Sequence, residues 1–175
     1  MADRPALRTV DGVRPAAVTP TGKLRTFDVD DVIVSKTDVR GRLTYVNDVF
    51  MHVSRYTEDE LIGRPHNIIR HPDMPRAVFK LLWDEIQAGR EIFAYVLNLA
   101  SDGVGYWVFA HVTPTCRHGE TVGYHSNRRV PSPQALAVIQ PLYARLRAVE
   151  HAATDPVAAL EASTAALHTE LDATG

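Results

Sequence analysis

The sequence predicts an α+β domain: one five-stranded antiparallel sheet, short helices on one of its faces, and flanking helices at the N- and C-terminal ends. Three observations predict it. Two β-rich runs joined by a turn come first, a group of helix-start signals follows, and three further β-rich runs joined by turns come last. Apolar spacing changes accordingly, from period two to helical period and back.

Val32-Ile33-Val34-Ser35-Lys36-Thr37 reads as the first strand, Arg40-Gly41 as a turn, and Leu43-Thr44-Tyr45-Val46 as the hairpin partner. Asn47-Asp48 starts a short helix carrying Val49, Phe50 and Val53. Thr57 with Glu60 three residues on is a capping-box pattern, and Gly63 ends the helix it opens. A clearer helix is expected from Arg76 to Ala88, with Val78, Leu81, Leu82 and Ile86 on one face and Gly89 as its stop. Ile92 to Leu99, Tyr106 to Thr115 and Thr121 to Arg128 read as strands, separated by Asp102-Gly103 and His118-Gly119 turns. The core order is β-β-α-α-α-β-β-β.

Outside this core the pattern is simpler. Met1 to Thr26 is rich in Pro, Ala, Arg and Thr and reads as a tail, with a capping helix as the alternative. Leu136, Ile139, Leu142, Tyr143, Leu146 and Val149 form a helical stripe interrupted by Pro141, which is expected to kink it. Thr154-Asp155-Pro156 restarts the chain, and Leu160, Thr164, Leu167 and Leu171 recur at heptad-like spacing. The expected divisions are 1–31 for the tail or cap, 32–130 for the α+β domain and 131–175 for the helical extension.

Composition narrows the function classes. A net charge of -2 gives no electrostatic footprint for nucleic acid. One cysteine, Cys116, rules out an intramolecular disulfide framework and a multi-cysteine zinc site. No apolar run reaches membrane-span length and the N-terminus lacks a secretory apolar core, so a cytoplasmic protein is expected. A Gly-rich phosphate loop, a nucleophile elbow and a metal-spaced histidine pair are all missing from the sequence, so neither catalytic residues nor a metal site are expected and the chain does not read as an enzyme.

Arg70-His71-Pro72-Asp73-Met74-Pro75 is the densest chemistry in the chain. Pro72 pushes the residue before it out of helical geometry, and Pro75 suits the start of a new helix. The segment is a rigid, polar, non-repetitive element set among Ile68, Ile69, Val78 and Phe79. In this order of elements it falls at the helical wall of a pocket between helices and sheet.

The whole pattern resembles a PAS domain. Asn47-Asp48-Val49-Phe50, Val53-Ser54-Arg55-Tyr56-Thr57, Leu61-Ile62-Gly63-Arg64-Pro65-His66-Asn67, Arg70-His71-Pro72-Asp73-Met74-Pro75 and Tyr106-Trp107-Val108 narrow the resemblance to the FAD-binding PAS domain of bacterial aerotaxis receptors. It covers Val32 to Leu146. It implies a non-covalently bound FAD whose redox state reports oxygen or electron flow, and signalling by altered contacts. Carried over position by position, it implies Asn47, Arg70, His71, Asp73, Phe79, Trp83 and Asn98 as cofactor-binding residues. Two positions depart from the family: Asn98 is followed by Leu99-Ala100-Ser101 where basic residues are usual, and the tryptophan usual near Ile92 is missing. Because aerotaxis receptors continue into membrane and coiled-coil segments, the chain is expected not to be a complete receptor of that type.

Each candidate carries a structural reading beside the functional one. Arg70 contacts the flavin or pairs with Asp73; His71 is a redox-responsive pocket residue or a packed histidine; Asp73 accepts from the ligand or caps the next helix. Phe79 and Trp83 stack on the ring or are plain core. Asn47 suits both a helix cap and a pocket, and Asn98 stands inside a strand, where asparagine is disfavoured. Arg128-Arg129 reads as a solvated pair. Cys116 lies away from the helical region, so a light-driven cysteine adduct is not expected.

Two other readings stand beside flavin. His52, His66, His71 and His111 leave room for a haem-binding PAS gas sensor, and a PAS module can bind no cofactor and serve dimerisation alone. Expected partners are a signalling protein, such as a chemotaxis or histidine-kinase component, and a second copy in a homodimer. Val29, Val32 or the Arg25–Asp31 neighbourhood are expected to touch that copy.

Overall fold

The computed structural model of the protein describes residues 18–174. Among the described residues six strands form one sheet: β1 (Leu24–Arg25), β2 (Ile33–Thr37), β3 (Leu43–Val46), β4 (Ile92–Leu99), β5 (Gly105–Arg117) and β6 (Glu120–Arg129). The helices among the described residues are α1 (Asp48–Ser54), α2 (Glu58–Leu61), α3 (Arg76–Gln87), α4 (Pro133–Ala152) and α5 (Pro156–Thr174), with a 3-10 turn at His66–Ile69. The expected core order is present. Its five strands run β4-β5-β6-β2-β3, every pair antiparallel.

The tail expected up to Thr26 lies outside the described residues as far as residue 17. Beyond that it is attached to the sheet. Leu24–Arg25 pairs in parallel with Gly105–Tyr106, and Arg25 reaches Asp102 and the Val53 carbonyl. Two residues of parallel pairing leave no periodic signal, so this sixth strand could not be read locally. Among described residues 18–31 there is no helix. Pro141 sits inside α4, which runs unbroken from Pro133 to Ala152.

Local chemistry explains the element starts. Asn47 caps α1 by accepting from Phe50 N, and Thr57 with Glu60 forms the capping box of α2. α3 starts after Pro75, which has no side-chain acceptor, and the free Ala77 N–H is met by Glu150 of α4 at 3.1 Å. Asp73, the expected cap, pairs instead with Arg147 of α4 at 2.6 Å, which also displaces the Arg70–Asp73 pair. Two carboxylates on and beside these helices thus tie the C-terminal hairpin to the domain.

The helical layer is stitched to both sheet edges. At β3, Leu43 N donates to Arg64 O and Gly63 N to Leu43 O. At β4, His71 N donates to Leu97 O, Leu97 N points at Met74 Sδ, Arg70 bridges Asn98, and the Tyr143 hydroxyl donates to Tyr95 O. Edge groups that would otherwise invite another strand are therefore used internally. Between the layers lies a core that includes Ile33, Leu43, Phe50, Leu61, Ile69, Ile86, Tyr106 and Val108, each 2% exposed or less.

Candidate functional site

Strand alternation fixes which side chains face the helices. On β6, Tyr124, Ser126 and Arg128 share the inner face; on β4, Val96 and Asn98; on β5, Ala110 and Val112; on β2, Ser35 and Thr37. These side chains form one wall of a cavity of about 430 Å³. Phe79, Leu82, Trp83 and Ile86 of α3 form the facing wall, with Pro65, His66, Asn67, Ile69 and Arg70 at one side. Leu160 of α5 closes another side.

Of the sequence-predicted residues, Arg70, Phe79, Trp83 and Asn98 line this cavity. The Arg70 guanidinium lies 4.1 Å over the Phe79 ring. Burial pulls its pKa below the usual arginine range; the Glu150 carboxylate opposes that and Arg76 adds to it. Trp83 meets Tyr124 edge-on at 5.6 Å, forming a corner between helix and sheet. Asn98 is 3% exposed, and its Nδ2 has no partner among the described residues.

Asn47, His71 and Asp73 do not line the cavity. Asn47 Oδ1 accepts from Phe50 N and Val34 N, and its Nδ2 donates to Val32 O at 2.7 Å. His71 is buried, and its Nδ1 accepts from Asp73 N at 3.0 Å, so the other nitrogen carries the proton when the ring is neutral. Burial lowers the His71 pKa, with Asp73 opposing and Arg147 adding.

Arg128 corrects the sequence reading. It is not a solvated partner of Arg129 but 4% exposed, on the cavity wall. Its Nη2 donates to Ser35 Oγ at 3.0 Å and to His66 Nε2. Arginine only donates, so His66 Nε2 must be unprotonated and the imidazole neutral. The His66 imidazole is closed in by Ser35, Phe50 and Arg128. Burial holds its pKa down at about 3, and the Arg128 charge pushes the same way. Burial likewise lowers the Arg128 pKa to about 10, which leaves it cationic at neutral pH.

No carboxylate pairs with Arg128 among the described residues. Its Nη1 and the Ser126 Oγ are buried without a partner among the described residues, as is Asn98 Nδ2. A fourth such atom, His125 Nε2, belongs to a residue outside the cavity lining. Buried donors are normally satisfied, and leaving one unmet costs on the order of 1–3 kcal/mol. Three unmet polar groups, each closed off from solvent, thus belong to residues of one cavity wall. The signal that finds Arg128 is parity: it stands two and four residues from Ser126 and Tyr124, opposite the small Ala110.

Comparison with known proteins agrees with this geometry. A PAS fold family model matches residues 43–127. Residues 43–127 form a PAS domain. The aerotaxis receptor of Escherichia coli (strain K12) is 40% identical over 119 residues, covering 68% of this chain and 24% of the receptor. The nitrogen fixation regulatory protein of Klebsiella pneumoniae is 26% identical over 99 residues, covering 56% of this chain and 20% of that protein. The chain thus spans about a quarter or less of those two relatives. Among solved structures, the light state of the blue-light photoreceptor Aureochrome1 LOV superposes with TM-score 0.57 at 19% identity, covering 61% of this chain and 86% of that one. A light-oxygen-voltage domain studied with a flavin analogue gives 0.56 at 16% identity, covering 63% and 83%.

No helix among the described residues is long and apolar enough to cross a membrane. Nor do they hold a group of three or more His, Cys, Asp or Glu placed to bind a metal ion. Cys116 is exposed near the end of β5, outside the cavity lining of the PAS domain.

Proposed function

We propose that the protein is a redox- or oxygen-sensing signalling module that binds FAD non-covalently in the PAS cavity. The observation that carries this reading is the sheet wall, where Asn98 Nδ2, Ser126 Oγ and Arg128 Nη1 are buried and unmet beside the apolar Phe79 and Trp83. An isoalloxazine has apolar faces and a polar pyrimidine edge, so its chemistry suits both parts. The likeness to the aerotaxis receptor supports a flavin occupant through its family. The cavity volume falls in the ligand-pocket range of about 300–1,000 Å³.

A flavin supplies reversible electron acceptance, which changes the charge and hydrogen-bonding demand at its edge. Arg128 favours added negative charge there, and neutral His66 holds the guanidinium in place from behind. Asn98 and Ser126 complete the polar edge. Asn98 is also joined through its backbone to Arg70, whose guanidinium feels the charge of Glu150. Glu150 in turn caps α3 and accepts from Ser163 of α5 at 2.8 Å. Reorientation at Asn98 thereby acts on the C-terminal helices, which we take as the output to a chemotaxis or histidine-kinase component. Haem finds less support: His66 is the lining histidine among the described residues, and its Nε2 is engaged by Arg128 and Ser35.

An absorption spectrum of the purified protein with and without dithionite, followed by chromatography of the released cofactor, tests the reading. Blue absorption that bleaches on reduction, with FAD released, is expected. A Soret band, or a colourless protein that takes up no added flavin, overturns it. The proposed homodimer, with the exposed Val29 at its contact, is dropped if the protein sediments as a monomer at micromolar concentration in both redox states.

A further inference from the structure

α5 meets the rest of the protein through a narrow stripe of mostly small side chains. Its buried positions are Ala159, Ser163 and Leu167, each four residues from the next and so on one face. Of these only Leu167 joins the main core, while Val157, Glu161 and Leu171 are exposed. Burial stabilises in proportion to apolar area, so alanine and serine hold α5 weakly. α3, against which it lies, is held better: it buries Val78 and Ile86 and packs Leu81, Leu82 and Trp83 on the core.

What pins α5 is polar. Ser163 is fully buried, and its hydroxyl donates to Glu150 Oε1 of α4 at 2.8 Å. The Pro156 carbonyl, at the start of α5, accepts from Arg76 Nη1 at 3.0 Å. Glu170 pairs with Arg145 of α4 at 2.6 Å, and exposed pairs of this kind add little. Leu160 lines the cavity, as does Arg76, the residue that holds the start of α5. Residues 153–155 link α4 to α5 outside both helices, and Asp155 Oδ2 caps α5 by accepting from Ala158 N at 2.8 Å. α5 therefore carries its own cap and can leave as an intact helix about that short link.

We propose that α5 is a lid on the cavity, hinged at residues 153–155 and latched by Ser163 on Glu150, whose lifting admits and releases the ligand. All of α5 lies outside the 43–127 PAS match, so the lid is an addition to the domain. The proposal needs the cavity to take a ligand; it does not need that ligand to be a flavin. Latch and α3 cap share one oxygen, since Glu150 Oε1 also accepts from Ala77 N at 3.1 Å. Ser163→Ala removes the latch and leaves that cap in place.

Hydrogen exchange of the ligand-free full chain reads the lid directly. The α5 amides should exchange together and faster than those of α3, and Ser163→Ala should speed them about fivefold with α3 unchanged. Ser163→Leu, too large for the buried stripe, should keep α5 open. Acrylamide quenching of Trp83, left as the sole tryptophan by Trp107→Phe, should then rise, because Trp83 lines the cavity. Stopped-flow mixing with FAD reads the gate. A lid slows entry and exit alike, so Ser163→Ala should raise both rates about fivefold, with affinity from a flavin-fluorescence titration kept within about twofold. Faster release with unchanged association would make α5 a ligand contact and overturn the lid. So would α5 amides that exchange no faster than those of α3, FAD rates unmoved by Ser163→Ala, or Trp83 quenching unmoved by Ser163→Leu. Absence of FAD binding, with exchange and quenching as expected, removes the flavin reading and supports the lid.

Discussion

Asn47, His71 and Asp73 commit their polar atoms to the chain itself, whereas Asn98, Ser126 and Arg128 keep atoms that no described residue meets. The first set lies in and around the helical layer and fixes its course. The second lies on the sheet wall of the cavity. Both sets are polar residues in an apolar setting, and a sequence shows them alike. Completeness of hydrogen bonding separates the groups that build a cavity from those that recognise what enters it.

The sharpest way to break this contrast is at Arg128. Arg128→Met removes a buried charge with no carboxylate partner, so flavin affinity should fall on the order of hundredfold while unfolding by urea occurs at the same or higher concentration. A variant that binds flavin like the wild type would refute the role. Asn47→Ala should show the opposite pattern. Loss of a helix cap and two further hydrogen bonds should destabilise the fold by about 2 kcal/mol, with flavin affinity of the folded fraction kept within about threefold. Full flavin release at unchanged stability would place Asn47 with the other set.

Asn98→Ala should cost on the order of tenfold in flavin affinity, measured by the same titration. Acid titration probes the neutral side of the site. His66 has a folded pKa of about 3 against an ordinary value of 6.5, so below pH 6.5 the unfolded chain binds a proton that the folded chain does not. Its stability contribution is full above pH 6.5 and declines as pH falls, by at most about 1.4 kcal/mol per pH unit, and the lowered His71 acts in the same direction. His66→Gln should flatten that slope between pH 6.5 and 4.5; an identical slope would contradict the buried neutral imidazole. The smallest effect is expected for Asp73→Ala, whose half-exposed pair with Arg147 contributes about 1 kcal/mol or less to the melting curve.

Much of the sheet and α3 was legible because alternation, hairpin turns and helical spacing are local signals. The α1 and α2 starts were legible for the same reason, since Asn47 and Thr57 cap from within their own segments. What escaped was long-range. The cap of α3 comes from Glu150, 73 residues away, so Asp73 took its place in the sequence reading. Leu160 reaches the cavity only because α4 and α5 fold back over α3, which a heptad-like stripe does not reveal. Arg128 was misplaced because Arg129 beside it resembles a surface pair, although adjacent residues of a strand face opposite sides. Within the site, Arg70, Phe79, Trp83 and Asn98 were found through resemblance and lie on the cavity, His66 was named only as a haem candidate, and Ser35, Ser126 and Arg128 emerged only with the strands in register.

Side-chain amide NMR of Asn98 and Asn47 during a flavin titration tests the contrast most directly. The account predicts that the Asn98 amide signals move to saturation with bound flavin while those of Asn47 stay in place. Movement at Asn47 with none at Asn98, or movement at neither with flavin bound, would contradict it.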